Sequence, residues 1–578
     1  MSKMVRTILT IGSLSALTAF ALDDITVPAP GGVGDVVALT NAIARAKAGS
    51  YRNVLLEPGL YDLKDVAMTT VSHLDCTGFN NHYLIGAGSR PADVILKGGG
   101  EAIGKRVVAL QGNNFGYATL SNLTITGGYS SGNGGGVLGH ASARIVDCIV
   151  SNNFALGGKN GGGGGMYKGS AIGCLFTENV AGRGNEDPVH GGGLWCNGDV
   201  TPGKLYQRSV GCTFSNNWSK ANGGGFYGGL SVSDCTFVGN QAGESGGGAC
   251  SCTNLTDCVF VGNTATECGG GYYGHGDVSG CTFEKNKAAK GGGLYADAAS
   301  GYGPIRNCTF RMNAATSAGC AVMSADTAHG TTLVKSVLLQ NTNGVVTAST
   351  SVTYRDSVIT NHYGKRTILQ NCNLYGCLVA DNRAVDTDSA KTYVIDSVDS
   401  GVACTNANCI FENNYTSGSS KVKITNGAKV VLNCLYAGNT ANNGNFGHII
   451  DSAATVYNTV YLENLVGTRA NFNKDAAHPT LVNCTYSGAG TDIETLDRCT
   501  GVFRATRAQL KFSAKDPARP YAPSRRSPLR NAAYEEPWLI AALGAKDFYG
   551  ETRVFEGALD IGPAECVEPA QGMILLFR

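Results

Sequence analysis

Four segments decide the reading of this chain: Gly211-Cys212-Thr213-Phe214-Ser215-Asn216-Asn217, Asp234-Cys235-Thr236-Phe237-Val238-Gly239-Asn240, Asp257-Cys258-Val259-Phe260-Val261-Gly262-Asn263 and Gly280-Cys281-Thr282-Phe283-Glu284-Lys285-Asn286. Their cysteines follow one another at a constant step of 23 residues. The same motif continues outward on both sides, as Asp147-Cys148-Ile149-Val150, Gly173-Cys174-Leu175-Phe176, Asn307-Cys308-Thr309-Phe310, Gly376-Cys377-Leu378-Val379, Asn408-Cys409-Ile410-Phe411, Asn433-Cys434-Leu435-Tyr436 and Asn483-Cys484-Thr485-Tyr486. Ser336, Ser357 and Thr459 take the Cys place in three further copies, and outside the central four the step ranges from 20 to 38 residues. A unit this short, with two or three short strands and turn residues, cannot bury its inner face alone and must stack on its neighbours. The repeat predicts an all-β fold: a single-stranded right-handed parallel β-helix, or solenoid, whose longer steps loop residues out between strands.

Within each motif the first and third positions alternate to one side, so Cys and Phe face the core and the Thr between them faces out. Three residues after the aromatic stands Asn, as at Asn217, Asn240, Asn263, Asn286, Asn313 and Asn414. Asn tolerates the left-handed turn conformation and bonds to its stacked neighbour, which predicts an asparagine ladder at a corner. Glycine triplets open the next strand, at Gly163-Gly164-Gly165-Met166-Tyr167, Gly191-Gly192-Gly193-Leu194-Trp195, Gly223-Gly224-Gly225-Phe226-Tyr227, Gly246-Gly247-Gly248-Ala249-Cys250, Gly269-Gly270-Gly271-Tyr272-Tyr273 and Gly291-Gly292-Gly293-Leu294-Tyr295. Backbone packs closely there, where any Cβ would obstruct it.

Composition agrees with a repetitive, turn-rich body. Glycine supplies 81 of 578 residues, roughly twice ordinary usage. Hydrophobic residues make up 43% and the net charge is +1, a combination that excludes disorder. No basic stripe suggests a nucleic-acid partner. Lys3 and Arg6, the apolar stretch Ile8 to Phe20 and the small-residue pattern Ala19-Phe20-Ala21 predict a secretory signal cut after Ala21. No later window is apolar for the 18 residues that a membrane span requires. Twenty-one cysteines in an exported chain would ordinarily suggest a disulfide framework. Here they fall in a column where parallel, inward-pointing Cβ vectors make poor bridges, so the expectation is mostly buried thiols.

These repeats resemble the secreted bacterial right-handed parallel β-helix proteins of the pectin-lyase-like superfamily. The Gly-Gly-x-x-Tyr and Phe-x-x-Asn pairing is similar to the passenger repeats of chlamydial polymorphic membrane proteins, which implies a surface adhesin. Asp35 to Ala48, an amphipathic stretch with Leu39, Ile43 and Ala46 on one face and Gly49 as its stop, then Val54 to Tyr61, resembles the capping helix and first strand of that superfamily. Ser527 to Ala533, Asp547 to Val554 and Asp560 to Glu565 resemble the choice-of-anchor module of bacterial surface proteins. The implied organisation is a signal peptide at 1–21, the N-terminal cap and first strand at 22–60, the β-helix at 61–500, a C-terminal cap or choice-of-anchor-like module at 501–566 and a tail at 567–578.

The chemistry of degradative relatives is thinly represented. Of the polygalacturonase motifs only Gly274-His275-Gly276 is present, and the acidic cluster with a trailing Arg that a calcium-dependent lyase needs is not found. Two places after the Tyr column fall Cys252, His275 and Asp297, a thiol, a base and a carboxylate on consecutive coils if that line faces outward. The competing reading is chance variation at outward positions. A zinc site from Cys250, Cys252, Cys268 and His275 is disfavoured, since Cys268 aligns with Ser245 and lies apart from the rest. No metal and no cofactor are expected. The stronger binding candidate is the column Tyr167, Trp195, Tyr227, Tyr273 and Tyr295, read as an outward strip of rings because Met166, Leu194, Phe226, Ala249, Tyr272 and Leu294 take the inward places. The alternative for this strip is rings stacked on one another for stability. The function expected is a non-catalytic extracellular or cell-surface protein, adhesin-like or structural, whose partner is a polysaccharide or cell-surface component. A polysaccharide lyase or glycoside hydrolase with a divergent site is the alternative.

Overall fold

The computed structural model describes residues 23–566, except residues 32, 50, 80, 111–116, 159–160, 184–186, 197–206, 298–302, 326–329, 343–344, 349–351, 387–390, 398–403, 420, 444–446, 451–453, 468, 471–478, 488–498, 513–517, 534, 544, 553–557 and 565. The expected signal peptide and the tail at 567–578 lie outside the described residues.

The chain is a right-handed parallel β-helix whose coils have four strands, one more than the repeat suggested. A central coil runs through Arg208–Val210 on face 1, Thr213–Ser215 on face 2, Trp218–Ser219 on face 3 and Phe226–Tyr227 on face 4. The additional strand is face 3, only two residues long between the Asn of the ladder and the glycine triplet. Along the coils the strands pair in parallel with their counterparts one coil on, Phe214 beside Phe237 and Phe237 beside Phe260, and the 6-stranded sheet ends in one antiparallel pair, Leu465–Val466 with Arg469–Ala470. Face 1 is a 19-stranded sheet, face 4 a 15-stranded sheet, and face 3 an 8-stranded sheet followed by a 6-stranded one. The N-terminal helix Val33–Lys47 closes the first coil, with Leu39, Ile43 and Ala46 fully buried among Val54 and Leu56. It stops at Gly49, which adopts a left-handed φ of 80°. No helix among the described residues is long and apolar enough to cross a membrane.

Two corners follow one rule. At each, a residue with left-handed φ tilts the chain, and the next backbone N–H then needs a partner outside the strand ladder. At the first corner Asp234 has φ 53°, and the N–H of Cys212 donates to Sγ of Cys235 at 3.4 Å while that thiol donates to the Ser233 carbonyl at 3.2 Å. Ser336 repeats the pattern, accepting from Cys308 N at 3.4 Å and donating to the Val334 carbonyl at 3.2 Å. Thr459 does likewise, with Cys434 N at 3.3 Å and the Tyr457 carbonyl at 2.9 Å. The column thus selects a small side chain that accepts one hydrogen bond and donates one, which a thiol and a hydroxyl both do. All 21 cysteines are free thiols.

At the second corner Asn216 has φ 52°, and Asn217 donates through its backbone N and its Nδ2 to Oδ1 of Asn240 at 3.0 and 2.9 Å. Nδ2 of Asn240 in turn donates to the Phe214 carbonyl at 2.9 Å. This ladder runs from Asn153 to Asn464 with a histidine at one rung. His362 accepts from Asn341 N through Nδ1 at 3.1 Å and donates from Nε2 to the Leu338 carbonyl at 3.0 Å, reproducing the amide's two roles in one neutral tautomer. Beneath the ladder, Phe176, Phe214, Phe237, Phe260, Phe283 and Phe310 stack in file with centroids 4.6–4.9 Å apart. The glycine triplet permits this depth of packing, since a Cβ on Gly224 would stand 2.4 Å from the carbonyl oxygens of Gln241 and Gly247.

After Arg504 the chain turns back as a strap over the outside of faces 1 and 2. Leu510, Tyr521, Leu529 and Ile561 bury Ile410, Leu435, Val460 and Leu462, while Leu539, Leu543 and Leu559 bury Ala407 and Leu432. The corner asparagines of these coils hold it: Asn408 Nδ2 donates to the Leu543 carbonyl at 2.9 Å, Asn433 Nδ2 to the Asp560 carbonyl at 3.2 Å, and Asn483 Nδ2 to the Ala532 carbonyl. Asp547 and Asp560, both in the anchor-like motifs, are buried and accept backbone N–H groups of Tyr549, Glu551, Asn531 and Cys566.

Candidate functional site

The aromatic column is in register on face 4, where Tyr167 pairs with Trp195 and Trp195 with Tyr227, and Tyr273 with Tyr295. The partners expected to point inward, Met166, Leu194, Phe226, Ala249, Tyr272 and Leu294, are all fully buried. The column is stacked as well as outward. Tyr167 and Trp195 lie 4.4 Å apart at 8°, and Trp195 and Tyr227 lie 6.2 Å apart at 13°. His190 stacks on Tyr227 at 4.4 Å, and its Nδ1 accepts from Asn222 N at 3.2 Å. Burial lowers the pKa of His190 to about 4, so the ring is neutral at pH 7. Trp195 keeps only 5% of its surface, which limits it to a supporting place in the stack.

Cys250 occupies the rung between Tyr227 and Tyr273 and divides the column in two. Beyond it, Tyr273 and Tyr295 are half-buried, 5.3 Å apart, and Tyr273 Oη donates to Asp297 Oδ2 at 2.8 Å. Partial burial, then the Asp297 carboxylate, hold the Tyr273 phenol well above its usual range. This pair brings two half-buried rings, stacked on each other, and a carboxylate to the outer surface.

The thiol, imidazole and carboxylate line is not assembled. Ser251 takes a left-handed φ of 59°, and this turn rotates Cys252 into the core, where it is fully buried and Tyr272 Oη donates to its carbonyl at 2.8 Å. Burial pushes its thiol well above the ordinary range, the opposite of an activated nucleophile. His275 is exposed on the opposite side of that backbone, and Asp297 is engaged by Tyr273. Cys250 is buried too, with its thiol pushed up to about 12. Among the described residues no three His, Cys, Asp or Glu side chains come together as a metal site.

Face 3 carries a feature that the repeat did not reveal. Tyr129, Phe154, Val180, Trp218, Gln241, Thr264 and Lys287 pair rung to rung along it. Two grooves follow this line, of about 460 Å³ beside Tyr129, Phe154 and Val180 and about 370 Å³ beside Gln241, Thr264 and Lys287, and Trp218 lines both. Two-residue strands carry no alternation to read, so in the sequence only the position of Trp218, one residue after the ladder Asn, hinted at an outward ring.

No known protein family matches this chain, and no curated protein matches it. Among solved structures it is similar to the A-module of the Azotobacter vinelandii mannuronan C-5 epimerase AlgE6, at 14% identity, 82% of this chain, 95% of that chain and a TM-score of 0.21. A double mutant of the tailspike protein of E. coli bacteriophage HK620 aligns at 12% identity over 84% of this chain and 79% of that chain, with a TM-score of 0.25. The A-module of AlgE4 from the same Azotobacter aligns at 14% identity over 77% of this chain and 95% of that chain, with a TM-score of 0.22. Likenesses of this size support no statement about activity.

Proposed function

We propose that this chain is a non-catalytic extracellular or cell-surface scaffold, adhesin-like in use, that holds polysaccharide or another surface component on its outward faces. The supporting observation is the in-register aromatic column of face 4, whose Tyr273 and Tyr295 rings remain accessible beside the Asp297 carboxylate. Ring edges with phenol hydroxyls give apolar and polar contact to a sugar, and a carboxylate accepts from its hydroxyls. The signal-like N-terminus and the resemblance of the strap motifs to an anchor module support display outside the cell.

The test is binding of the purified chain to a panel of polysaccharides and to bacterial cell walls, with product release measured in the same samples. The expected result is binding that weakens about tenfold or more when Tyr273 and Tyr295 are both replaced by Ala. Release of shortened or unsaturated products would overturn the non-catalytic reading.

A further inference from the structure

One file of side chains is more uniform than its place in the fold requires. Cys148, Cys174, Cys212, Cys235, Cys258, Cys281 and Cys308 hold seven successive rungs at the first corner, as the pairings of the strands that follow them show. The next two rungs carry Ser336 and Ser357, and Cys377, Cys409 and Cys434 precede Thr459. The Ser336 and Thr459 hydroxyls make the same two hydrogen bonds as the thiols, so the backbone of this corner does not ask for sulfur. A run of seven thiols calls for a second reason.

The seven are held alike. Each donates to the carbonyl two residues before it in its own coil, from Cys148 on Val146 to Cys308 on Arg306, at 3.1–3.5 Å. One rotamer repeated on paired parallel strands keeps neighbouring sulfurs a rung apart, about 4.8 Å. That separation decides what can bridge them. A disulfide brings its Cβ atoms to about 3.8 Å, which would pull two coils together. Two metal–sulfur bonds of about 2.3 Å set end to end span about 4.6 Å, so a cation with two ligands in line fits between rungs that stay in place. Thiolate is a soft ligand and selects soft cations such as Cu(I). A site of this kind uses two side chains, fewer than the three-ligand cluster that the described residues do not form.

We propose that this file binds soft monovalent cations of the Cu(I) and Ag(I) class, each held in line between the sulfurs of two successive coils. Two S–H bonds break and two metal–sulfur bonds form: one cation and two thiols give one bis-thiolate of charge −1, and two protons leave to solvent. No electron moves. The backbone N–H already aimed at each sulfur, as Cys212 N is at Cys235 Sγ, stays with the thiolate and offsets its charge. The corner also draws a cation in. Asp147, Asp234 and Asp257 are exposed and stand directly before thiols of the file, and at Gly211 the wall carries no side chain. Seven thiols taken two at a time make three sites. They lie in the core, apart from the Tyr273–Tyr295 pair.

The experiment counts cations by native mass spectrometry. The full chain, kept free of oxygen, is incubated with Ag(I) and rinsed with a small monothiol, and two triple variants are treated alike. Cys174→Ser/Cys235→Ser/Cys281→Ser leaves four thiols in the file with no two on adjacent rungs, whereas Cys148→Ser/Cys174→Ser/Cys212→Ser leaves four on adjacent rungs. Every other cysteine is common to both, so the difference reads adjacency alone. The expected result is two more cations in the second variant than in the first, a further one in the unaltered chain, and two sulfur neighbours at about 2.3 Å around silver by X-ray absorption. Ag(I) should also raise the thermal midpoint of the second variant above that of the first. Serine already fills this column at Ser336 and Ser357, and circular dichroism checks that both variants keep the fold. Equal counts in the two variants would overturn the file as the site. So would three or more sulfurs around silver in the unaltered chain, a reading that stands whatever the variants do, or no retained silver at all.

Discussion

The coils at Cys212–Asn286 and those at Cys404–Tyr486 share one interior and wear opposite exteriors. Inside, Phe237 and Phe260 answer to Phe411, Tyr436 and Tyr461, each stacked on the next at 4.4–5.3 Å. Outside, face 2 of the central coils shows Thr213, Thr236 and Val259 to solvent, whereas the C-terminal coils present Ile410, Leu435 and Val460, each at most 2% exposed beneath the strap. The corner residue changes in step, from Gly211, Asp234 and Asp257 to Asn408 and Asn433, whose amides reach strap carbonyls. The interior motif therefore sets the coil, and the residues between its positions set what the coil is covered by.

The comparison breaks first at the ladder. Replacing Asn263 by Ala strands the backbone N–H of Asn240, one N–H of its amide and the Phe237 carbonyl, all in fully buried surroundings, and should cost about 3 kcal/mol or more in denaturant unfolding, since each buried polar group left unpaired costs about 1–3 kcal/mol. The exteriors should answer very differently to one charge. Leu435→Glu buries a carboxylate under the strap and should cost about 2–4 kcal/mol with faster proteolysis after residue 504, while Val259→Glu should stay within about 0.5 kcal/mol.

The histidine rung gives the third test. Burial holds the His362 pKa at about 4, below its unfolded value, so the unfolded state takes up the proton first as pH falls. Its contribution is fully present above pH 6.5 and is lost as pH drops toward 4, about 3 kcal/mol across that window. His362→Asn should flatten that part of the stability–pH curve. The smallest effect belongs to the thiol column: Cys258→Ser should change stability by less than about 1 kcal/mol, and Cys258→Val should cost about 1–3 kcal/mol by removing the donor to the Thr256 carbonyl. A thiol reagent on the native chain should label Cys268 or Cys499, the two that are not buried, ahead of the rest.

What could be read in the sequence was whatever repeats with inward alternation. The Cys, Phe and Asn columns, the glycine triplets and the helix ending at Gly49 belong to that class. The outward aromatic column was legible in its register, with free rings and self-stacked rings both open, because spacing does not tell a free ring from one under a neighbour. Cys252 was misplaced because counting two residues past the Tyr column assumes unbroken alternation, and the left-handed Ser251 interrupts it. The face 3 groove escaped for a related reason: its strands are too short to alternate. The strap left its mark only as the swap of Thr for Ile, Leu and Val on face 2, which reads as ordinary strand composition until its cover is seen.

Both corner columns point the same way along the axis. Each rung donates its N–H to a side chain supplied by the following coil, from Asn217 to Asn240 and from Cys212 to Cys235. A chain emerging N-terminus first, from a ribosome or through a membrane, would carry at its growing end one coil with open donors that only the next coil can fill. Assembly then has a direction, and the strap is laid over the finished coils, where the side-chain amides of Asn408, Asn433 and Asn483 find its carbonyls.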